Sequence, residues 1–402
     1  MDTQNTPVHV RLWHKDFWFL SIANLLLCMS VYMMVPVLPS WLYSIGFSHF
    51  GVAAVMGVFG LSMLLFGPFC NYWVQHYRRN HVCRMAIILM LVSYIGFYTL
   101  GQSSVAVFFG ADTMLAIIWG LRIILGAAFG LSQMVLCSTL IIDSCESFQR
   151  TEANYAVAWF GRFALSLGPL SALVCQQFIT TETMFLIMGA FSFVAILLIQ
   201  MIGFPFRAPE ENQRVVSLDR FFLPESWPLF LHLMLMTVIV GLLLSVPHNV
   251  AFYSMIMVGF FFALLAEKFV FADADLKSEV ISGLILVGVS FFMMHRMFVA
   301  GTPLSELVPP VLFGLGIGII GSRFLLFFIK LSRHCQRGTS QSSFLLAWEL
   351  GVCLGLYVGY AFFQTGSTSL RTLYQVGLVL TLANLLIYHL LTHRWYLNHK
   401  NR

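Results

Sequence analysis

Apolar runs long enough to cross a bilayer recur along the whole chain and constrain its fold more than any other feature. A hydrocarbon core of about 30 Å needs roughly 20 mostly apolar residues per crossing helix. Twelve such runs are separated by polar or Gly/Pro-rich breaks, of which the break at His248 is the least distinct. The runs lie at Phe17–Leu42, Gly51–Val74, Met85–Leu100, Met114–Ile141, Ala153–Gln176, Met184–Phe204, Pro228–Val246, Val250–Val270, Val280–Met297, Leu307–Leu331, Ser343–Phe363 and Thr372–Leu391. The sequence therefore predicts an all-α polytopic membrane protein with 12 transmembrane helices.

The composition supports this fold class and excludes others. Of the 402 residues, 59% are hydrophobic and 10% are charged, whereas soluble domains carry about 25% charged residues. The net charge of +5 is spread thinly and forms no basic domain, so we expect no nucleic-acid partner. The eight cysteines lack CxxC or metal-ligand spacing. They are expected to be reduced thiols, with no metal and no cofactor.

Lysine and arginine orient the predicted spans. If the N-terminus is cytoplasmic, 17 basic residues lie in cytoplasmic segments and only Arg296 and Arg371 lie outside. Positive charge accumulates on the cytoplasmic side of membrane proteins. An even number of spans returns the C-terminus to that side, so we expect both termini in the cytoplasm and the protein in the cytoplasmic (inner) membrane.

A polar stretch divides the chain into two predicted halves. Residues 1–204 and 227–402 would each hold six helices, and residues 205–226 would form a cytoplasmic linker. A Gln-Arg pair precedes an Ala-Trp pair before spans five and eleven, with Trp159 and Trp348 189 residues apart. This similarity indicates a duplicated six-helix unit, or a chance likeness between Trp-rich helices.

Twelve spans, cytoplasmic termini and related halves resemble the major facilitator superfamily, and the resemblance covers nearly the whole chain. Span four contains Arg122, Gly126 and Gly130 in an RxxxGxxxG pattern similar to that superfamily's buried-arginine element. Span five contains Gly168 and Pro169 in a segment similar to the GPxxGG element of the drug:proton antiporter branch, with Ser and Ala replacing the last two glycines. The resemblance implies alternating access by two six-helix halves.

The loop between spans two and three departs from the superfamily signature. Gly67 and the pair Arg78 and Arg79 match it, but Asn71 or Gln75 stands where an acid is usual. After span four, an acidic and basic cluster resembles one found in many relatives. This cluster comprises Asp143, Glu146 and Arg150. The resemblance implies that a cytoplasmic charge lock lies there instead.

Four charged residues lie deep inside the predicted spans, where each charge costs about 2.5–3.5 kcal/mol on insertion scales. Of the 17 acids, only Glu349 lies well inside a span, whereas Glu267 lies near a span end and can reach water. Residue counting places Arg323 at a similar depth to Glu349, so we expect the two to pair. The pair is either a permanent structural bridge between spans ten and eleven or a switchable, proton-carrying carboxylate.

The other two buried charges are arginines. Arg122 is expected to contribute to proton coupling or to bind a substrate anion, with pure helix packing as the alternative. Arg162 either lines the cavity or lies between the halves and extends its charge towards water. Gly126 and Gly130 are expected to allow close helix packing.

Further polar and aromatic residues are candidates for lining a cavity, with packing or lipid contact as the alternative. They are Asn24, Tyr32, Trp119, Gln133, Trp348 and Tyr357. Pro36 and Pro39 lie near the outer end of span one. They can bend the helix at a gate or merely end it.

These features predict a secondary active transporter that moves a small, amphipathic organic solute, with proton-coupled efflux expected. Import or uniport of a nutrient or metabolite is the alternative. A membrane enzyme is disfavoured because the chain has no GxSxG, HExxH or metal-spaced pattern, and a twelve-span receptor without a sizeable soluble domain is also disfavoured. The expected partners are the solute, protons and the lipid bilayer, and we expect the chain to act as a monomer.

Overall fold

The computed structural model describes residues 11–102, 111–204, 214–271, 273–300, 306–333, 336–364 and 366–400. In this part of the chain, 12 helices are long and apolar enough to cross a membrane. Spans one to twelve are Lys15–Ser44, His49–His76, Arg79–Leu100, Thr113–Asp143, Arg150–Cys175, Thr181–Gln200, Pro224–Leu244, Val250–Phe269, Leu276–Val299, Val308–Leu331, Arg337–Phe362 and Ser369–His399. The predicted number of spans is confirmed, and so is the break at His248.

Local sequence determines where several spans begin. Spans two, six and eight each follow a residue whose side chain caps the first turn of the helix. The caps are Ser48, Thr180 and Asn249, each of which accepts a hydrogen bond from a backbone N–H three residues further on. Within the membrane, the backbone N–H and C=O groups of a helix are hydrogen-bonded inside the helix. Only the groups at the helix ends need other hydrogen-bond partners, and these side chains supply some of them.

Span one is broken into two helices, Lys15–Tyr32 and Met34–Ser44. Pro36 has no N–H to offer the carbonyl of Tyr32, and Pro39 has none for the carbonyl of Val35. The break lies at Met33, between the two helices, and Pro39 lies inside the second helix.

Spans four and twelve each contain a single π-helical segment. The segments are Leu136–Leu140 in span four and Tyr388–Thr392 in span twelve. In span four, the helices Ala111–Val135 and Ile141–Asp143 flank the segment. Such segments change the direction in which the following side chains point and often occur at functional sites.

Spans one to six pack chiefly among themselves, and so do spans seven to twelve. In the first group, span one packs on spans five and six, and span four packs on spans two and three. In the second, span seven packs on span eleven, and span ten packs on spans eight and nine. The groups meet mainly where span two contacts span eleven and span five contacts span eight.

Glycines allow close approach within and between these groups. A Cβ on Gly126 would collide with Ser62 and Phe59 of span two, and a Cβ on Gly130 would lie 3.3 Å from Met63. Spans two and four therefore approach each other closely at both glycines. Large apolar side chains such as Phe193 and Phe261 are exposed on the outside of the bundle, as expected for a surface in contact with lipid.

We call the end of the bundle that carries the start of span one and the end of span twelve the terminal face. The described part of the segment between spans six and seven is anchored there. Ser217 N–H donates to the Pro68 carbonyl (3.0 Å), and Leu223 N–H donates to Ser343 Oγ (2.8 Å). The first part of the predicted linker, residues 205–213, lies outside the described residues.

The seven cysteines in the described segments are free thiols, six of them buried. This agrees with the expectation of reduced thiols. Cys335, the eighth cysteine, lies outside the described residues.

Candidate functional site: a central cluster at the break in span one

Residues from spans one, four, five and eleven enclose a small cavity in the middle of the bundle. We call Tyr32, Gln133, Arg162, Trp348 and Glu349 the central cluster, and all five line this cavity. Its volume is about 30 Å³, which is about the volume that one water molecule occupies in the liquid. The structure therefore brings together five of the residues that the sequence identified as site candidates.

Glu349 is connected to span one through Tyr32. The Tyr32 hydroxyl donates to Glu349 Oε1 (2.8 Å) and accepts a hydrogen bond from Trp348 Nε1 (3.2 Å). Glu349 is 6% exposed and Tyr32 is 3% exposed. Because Tyr32 is the last residue before the break in span one, this hydrogen bond joins Glu349 to the point where that span is interrupted.

Arg162 enters the same cavity without a hydrogen-bond partner. Its side chain is 4% exposed, and its guanidinium lies over the ring of Trp159, 4.6 Å from the centroid. Nε and both Nη atoms have no hydrogen-bond partner among the described residues. Of the two alternatives for Arg162, the structure has the side chain on the cavity and not extended towards water.

Gln133 and Asn24 border the cluster on the sides of spans four and one. Gln133 is 3% exposed and its Oε1 accepts from the Cys137 thiol, but its Nε2 has no partner among the described residues. Asn24 Nδ2 donates to the Val157 carbonyl (3.3 Å), which links spans one and five. Asn24 is thus a contact between helices, whereas Gln133 presents a free donor to the cavity.

Arg122 is buried in a different environment. Nε donates to the Val55 carbonyl (3.3 Å), Nη1 lies 3.2 Å from Met34 Sδ, and the guanidinium lies 4.4 Å from the centroid of the Phe59 ring. Met34 begins the second helix of span one. Arg122 and Tyr32 therefore contact the two sides of the same helix break.

Gly168 packs directly against this break. A Cβ on Gly168 would lie 2.8 Å from Tyr32 Cβ and 3.1 Å from Met33 N. Pro169 follows inside the helix of span five. The Gly-Pro pair thus provides a flat surface on which the interrupted part of span one can approach span five.

The predicted pair between Arg323 and Glu349 is wrong. Arg323 Nε forms an ion pair with Glu279 Oε2 of span nine, while Glu349 faces Tyr32. Residue counting placed Arg323 and Glu349 at similar depths in the membrane, but it did not give the rotation of each helix about its own axis. Arg323 pairs with span nine, and its charge still acts on Arg162 of the central cluster.

Two further buried acids were missed as site candidates. Glu279 is 1% exposed, and Glu267 is buried as well, so Glu349 is not alone among the acids in the interior. Glu267 accepts hydrogen bonds from Tyr155 of span five and Ser322 of span ten. The available signal was the position of both acids within one turn of a span end, on consecutive spans that must meet at one face.

One acid of the predicted cluster after span four has a partner on span three. Asp143 forms an ion pair with Arg79, the first residue of span three. The neighbouring Arg78 is exposed at the helix start, and Arg150 begins span five. The charge contact of the terminal face is therefore made by Asp143 and the second arginine of the pair.

Other predicted residues lie outside the central cavity. Trp119 is partly buried and packs against the apolar core. Tyr357 is 36% exposed, and its ring lies against Gly57 of span two. Gly67 lies against the ring of Phe221, which places the segment before span seven on span two.

A second, larger cavity opens at the end of the bundle opposite the terminal face. It measures about 620 Å³ and is lined by residues that include His248, Glu306 and Tyr374. His248 stacks on Phe252 with 3.6 Å between ring centroids and is hydrogen-bonded to the Leu243 carbonyl (2.8 Å). Burial lowers the pKa of His248 to about 4.

Comparison with solved structures shows the same fold in transporters. A bacterial homologue of the iron transporter ferroportin in its outward-facing state has a TM-score of 0.68 and 14% identity, covering 94% of this chain and 99% of that chain. Its inward-facing state has a TM-score of 0.66 and 14% identity over 95% of this chain and 98% of that chain. The nucleoside transporter NupG has a TM-score of 0.66 and 12% identity over 93% and 99%. The xylose transporter XylE from E. coli has a TM-score of 0.66 and 13% identity over 92% and 94%.

Sequence comparison identifies the family. No curated protein sequence matches the chain. The family model described as Major Facilitator Superfamily matches residues 20–391, nearly the whole chain. The helical architecture and the similar transporter structures agree with this family match. Together these findings indicate a transporter and not an enzyme. The chain is a multi-pass integral membrane protein that belongs to the Major Facilitator Superfamily.

Proposed function

We propose that this protein moves a small, amphipathic organic solute across the cytoplasmic membrane by alternating access, driven by proton exchange in the direction of efflux. The observation that carries the proposal is the hydrogen bond between Glu349 and Tyr32, which connects a protonatable group in the central cavity to the break in span one. A carboxylate that gains and loses a proton can bias a hinge only if its contacts differ between the two states.

The packing of the spans supports alternating access. We take the two groups of six spans as the two halves, and they touch on both sides of the central cavity. Towards the terminal face, Tyr155 donates to Glu267. Towards the opposite face, Ser166 Oγ donates to the Tyr253 carbonyl (2.7 Å). Rocking of the halves can break one contact and keep the other, which opens the cavity to one side at a time.

The cavity lining supports an amphipathic solute. Phe129, Phe344 and Trp348 supply apolar and aromatic surface, and the central cluster supplies polar groups. Ligand sites commonly combine apolar walls with a few polar groups that fix orientation. The present volume is too small for an organic molecule, so we assign this conformation to an occluded state between the two open ones.

Transport by purified protein in liposomes tests the proposal. We expect an imposed pH gradient to drive movement of a solute from a chemically diverse panel, and reversal of the gradient to reverse the movement. If the solute moves against its own concentration gradient and in the direction opposite to the downhill movement of protons, transport is exchange. Exchange is the mode expected of an exporter. Movement with the proton gradient supports the importer alternative, and movement that ignores it supports uniport.

The proposal includes the state of assembly and the membrane. We infer that the chain acts as a monomer, because the central cluster draws its side chains from spans of one chain. The basic residues at the ends of the spans favour a cytoplasmic position for both termini. Size-exclusion chromatography with light scattering and protease access in sealed vesicles test these two statements.

A further inference from the structure

We propose that Arg162 and Gln133 form an oxyanion subsite, so that the transported solute is an organic anion with an apolar body. This inference rests on the proposed transport function and adds the chemical class of the substrate. It follows from two buried, unpartnered donors that line one cavity.

Arg162 is a buried cation without a counter-ion in this conformation. Within the described residues, ion pairs join Arg79 to Asp143 and Arg323 to Glu279, and neither includes Arg162. Among the described residues, its guanidinium lies over the Trp159 ring, which compensates less than a carboxylate would, and the nearby charge of Arg323 has the same sign. A buried charge of this kind is retained where a ligand or another state supplies the opposite charge.

Gln133 adds a neutral donor on the other side of the cavity. Its oxygen is occupied by the Cys137 thiol, which leaves the Nε2 amide hydrogens available. A guanidinium and an amide donor together suit an oxyanion, because such a group accepts several hydrogen bonds at once. They do not suit an ammonium group, which can only donate.

Glu349 lines the same cavity but does not neutralise Arg162 here. No ion pair within 4.0 Å joins the two residues, and Glu349 Oε1 accepts from Tyr32. We therefore assign proton binding and the contact with span one to Glu349, and binding of the solute's oxyanion to Arg162. Phe129 and Phe344 supply the apolar wall against which the body of the anion would pack.

A set of compounds with one ring and different head groups tests the inference. Binding of benzoate, benzenesulfonate, benzamide and benzylamine to the purified full chain in nanodiscs can be measured by isothermal titration calorimetry. We expect the two oxyanions to bind and the amide and amine to bind at least about tenfold more weakly, the loss of one charged hydrogen bond. Binding of the amine with no binding of the oxyanions, or binding of neither oxyanion, would overturn the inference.

Variants identify the residues responsible. We expect Arg162→Gln to weaken oxyanion binding by about tenfold to a hundredfold and Arg162→Lys to retain part of it. Arg371→Gln removes a charge from an exposed position and serves as the control. If Arg162→Gln does not yield folded protein, Gln133→Leu tests the second donor with all charges kept. Unchanged oxyanion affinity in a folded variant at either position contradicts the subsite.

A competing explanation is that Arg162 pairs with Glu349 in another conformation. In that case, Glu349→Gln would leave Arg162 without a counter-charge and would destabilise the folded protein. Arg162→Gln combined with Glu349→Gln would then restore the folding stability. The inference instead predicts that Glu349→Gln keeps oxyanion binding. Transport assays separate the two proposals: driven movement of benzylamine but not of benzoate refutes the subsite and leaves the transporter intact. Binding of benzoate with no driven movement of any solute refutes the transporter and leaves the subsite.

Discussion

Three arginines within the spans receive three different kinds of compensation. Arg323 has a carboxylate, Arg122 has a backbone carbonyl, a thioether and an aromatic ring, and Arg162 has only the Trp159 ring. The first arrangement suits a permanent structural contact. The second suits a residue that moves with span one, and the third leaves hydrogen-bonding capacity free for a ligand.

Replacement of the central carboxylate tests coupling. We expect Glu349→Gln to abolish transport driven by a pH gradient while the protein still folds, binds solute and exchanges it. Gln keeps a hydrogen-bond acceptor for Tyr32 but cannot exchange a proton. Uptake into liposomes measures the effect, with Glu225→Gln at an exposed position as the control. Normal gradient-driven transport by the Gln variant would exclude Glu349 as the proton carrier.

Two substitutions of Arg122 separate its charge from its geometry. Arg122→Ala is expected to lose active transport, and Arg122→Lys to keep part of it, because Lys retains the charge but not the planar set of donors that reaches Val55 and Met34 together. Vesicle transport at matched expression measures both. Near-wild-type rates in both variants would leave only a packing role for the arginine.

Residue depth was predictable from the sequence, but residue orientation was not. The five residues of the central cluster were identified as site candidates because a polar group within an apolar span is energetically costly and is commonly functional. Their mutual contacts depend on how each helix is rotated, which a depth count does not contain.

The wrong partner predicted for Arg323 and the omission of Glu279 also arise because the sequence does not show how the helices pack. Arg323 was paired with the wrong acid, and Glu279 was overlooked because it lies one residue before the predicted span Val280–Met297. Its burial depends on the neighbouring spans that cover it.

At the level of elements, the break in span one and the glycine surface of span five belong together. We expect Gly168→Ala to push Tyr32 and Met33 away from span five, to destabilise the protein by about 1–3 kcal/mol, as overpacking does, and to slow transport. Gly120→Ala is the matched control, because no atom lies within 4 Å of a Cβ built there. Thermal unfolding in detergent and transport rates measure the two effects. Equal behaviour of the two variants would show that the contact is not tight.

The loop between spans seven and eight contains a histidine that is held neutral. Burial lowers the pKa of His248 from 6.5 to about 4, so the unfolded chain binds more protons than the folded one between these values. Stability is therefore expected to fall as the pH falls from about 6.5 towards 4. The contribution of His248 is fully present above that window.

The difference in melting temperature between wild type and His248→Gln, measured across this pH range, isolates the effect. The exposed His399 supplies the control, as His399→Gln. A wild-type curve that runs parallel to that of His248→Gln would contradict the prediction.

At the level of the whole molecule, the two faces should open in turn. Cysteines introduced at both ends of spans one and seven, with Cys28 replaced, are expected to react reciprocally with a membrane-impermeant thiol reagent. Conditions that expose one end should protect the other, because a single rocking motion controls both. Constant access from both sides at once would indicate a channel.

The order in which the chain is made gives Glu279 and Glu349 different histories. Glu279 and Arg323 lie on consecutive spans, so they can neutralise each other as soon as that pair of helices has entered the membrane. Glu349 and Tyr32 are 317 residues apart, so Tyr32 is inserted long before the carboxylate that accepts its hydrogen bond is made. The contact between Glu349 and the break in span one can therefore form only after span eleven has entered the membrane.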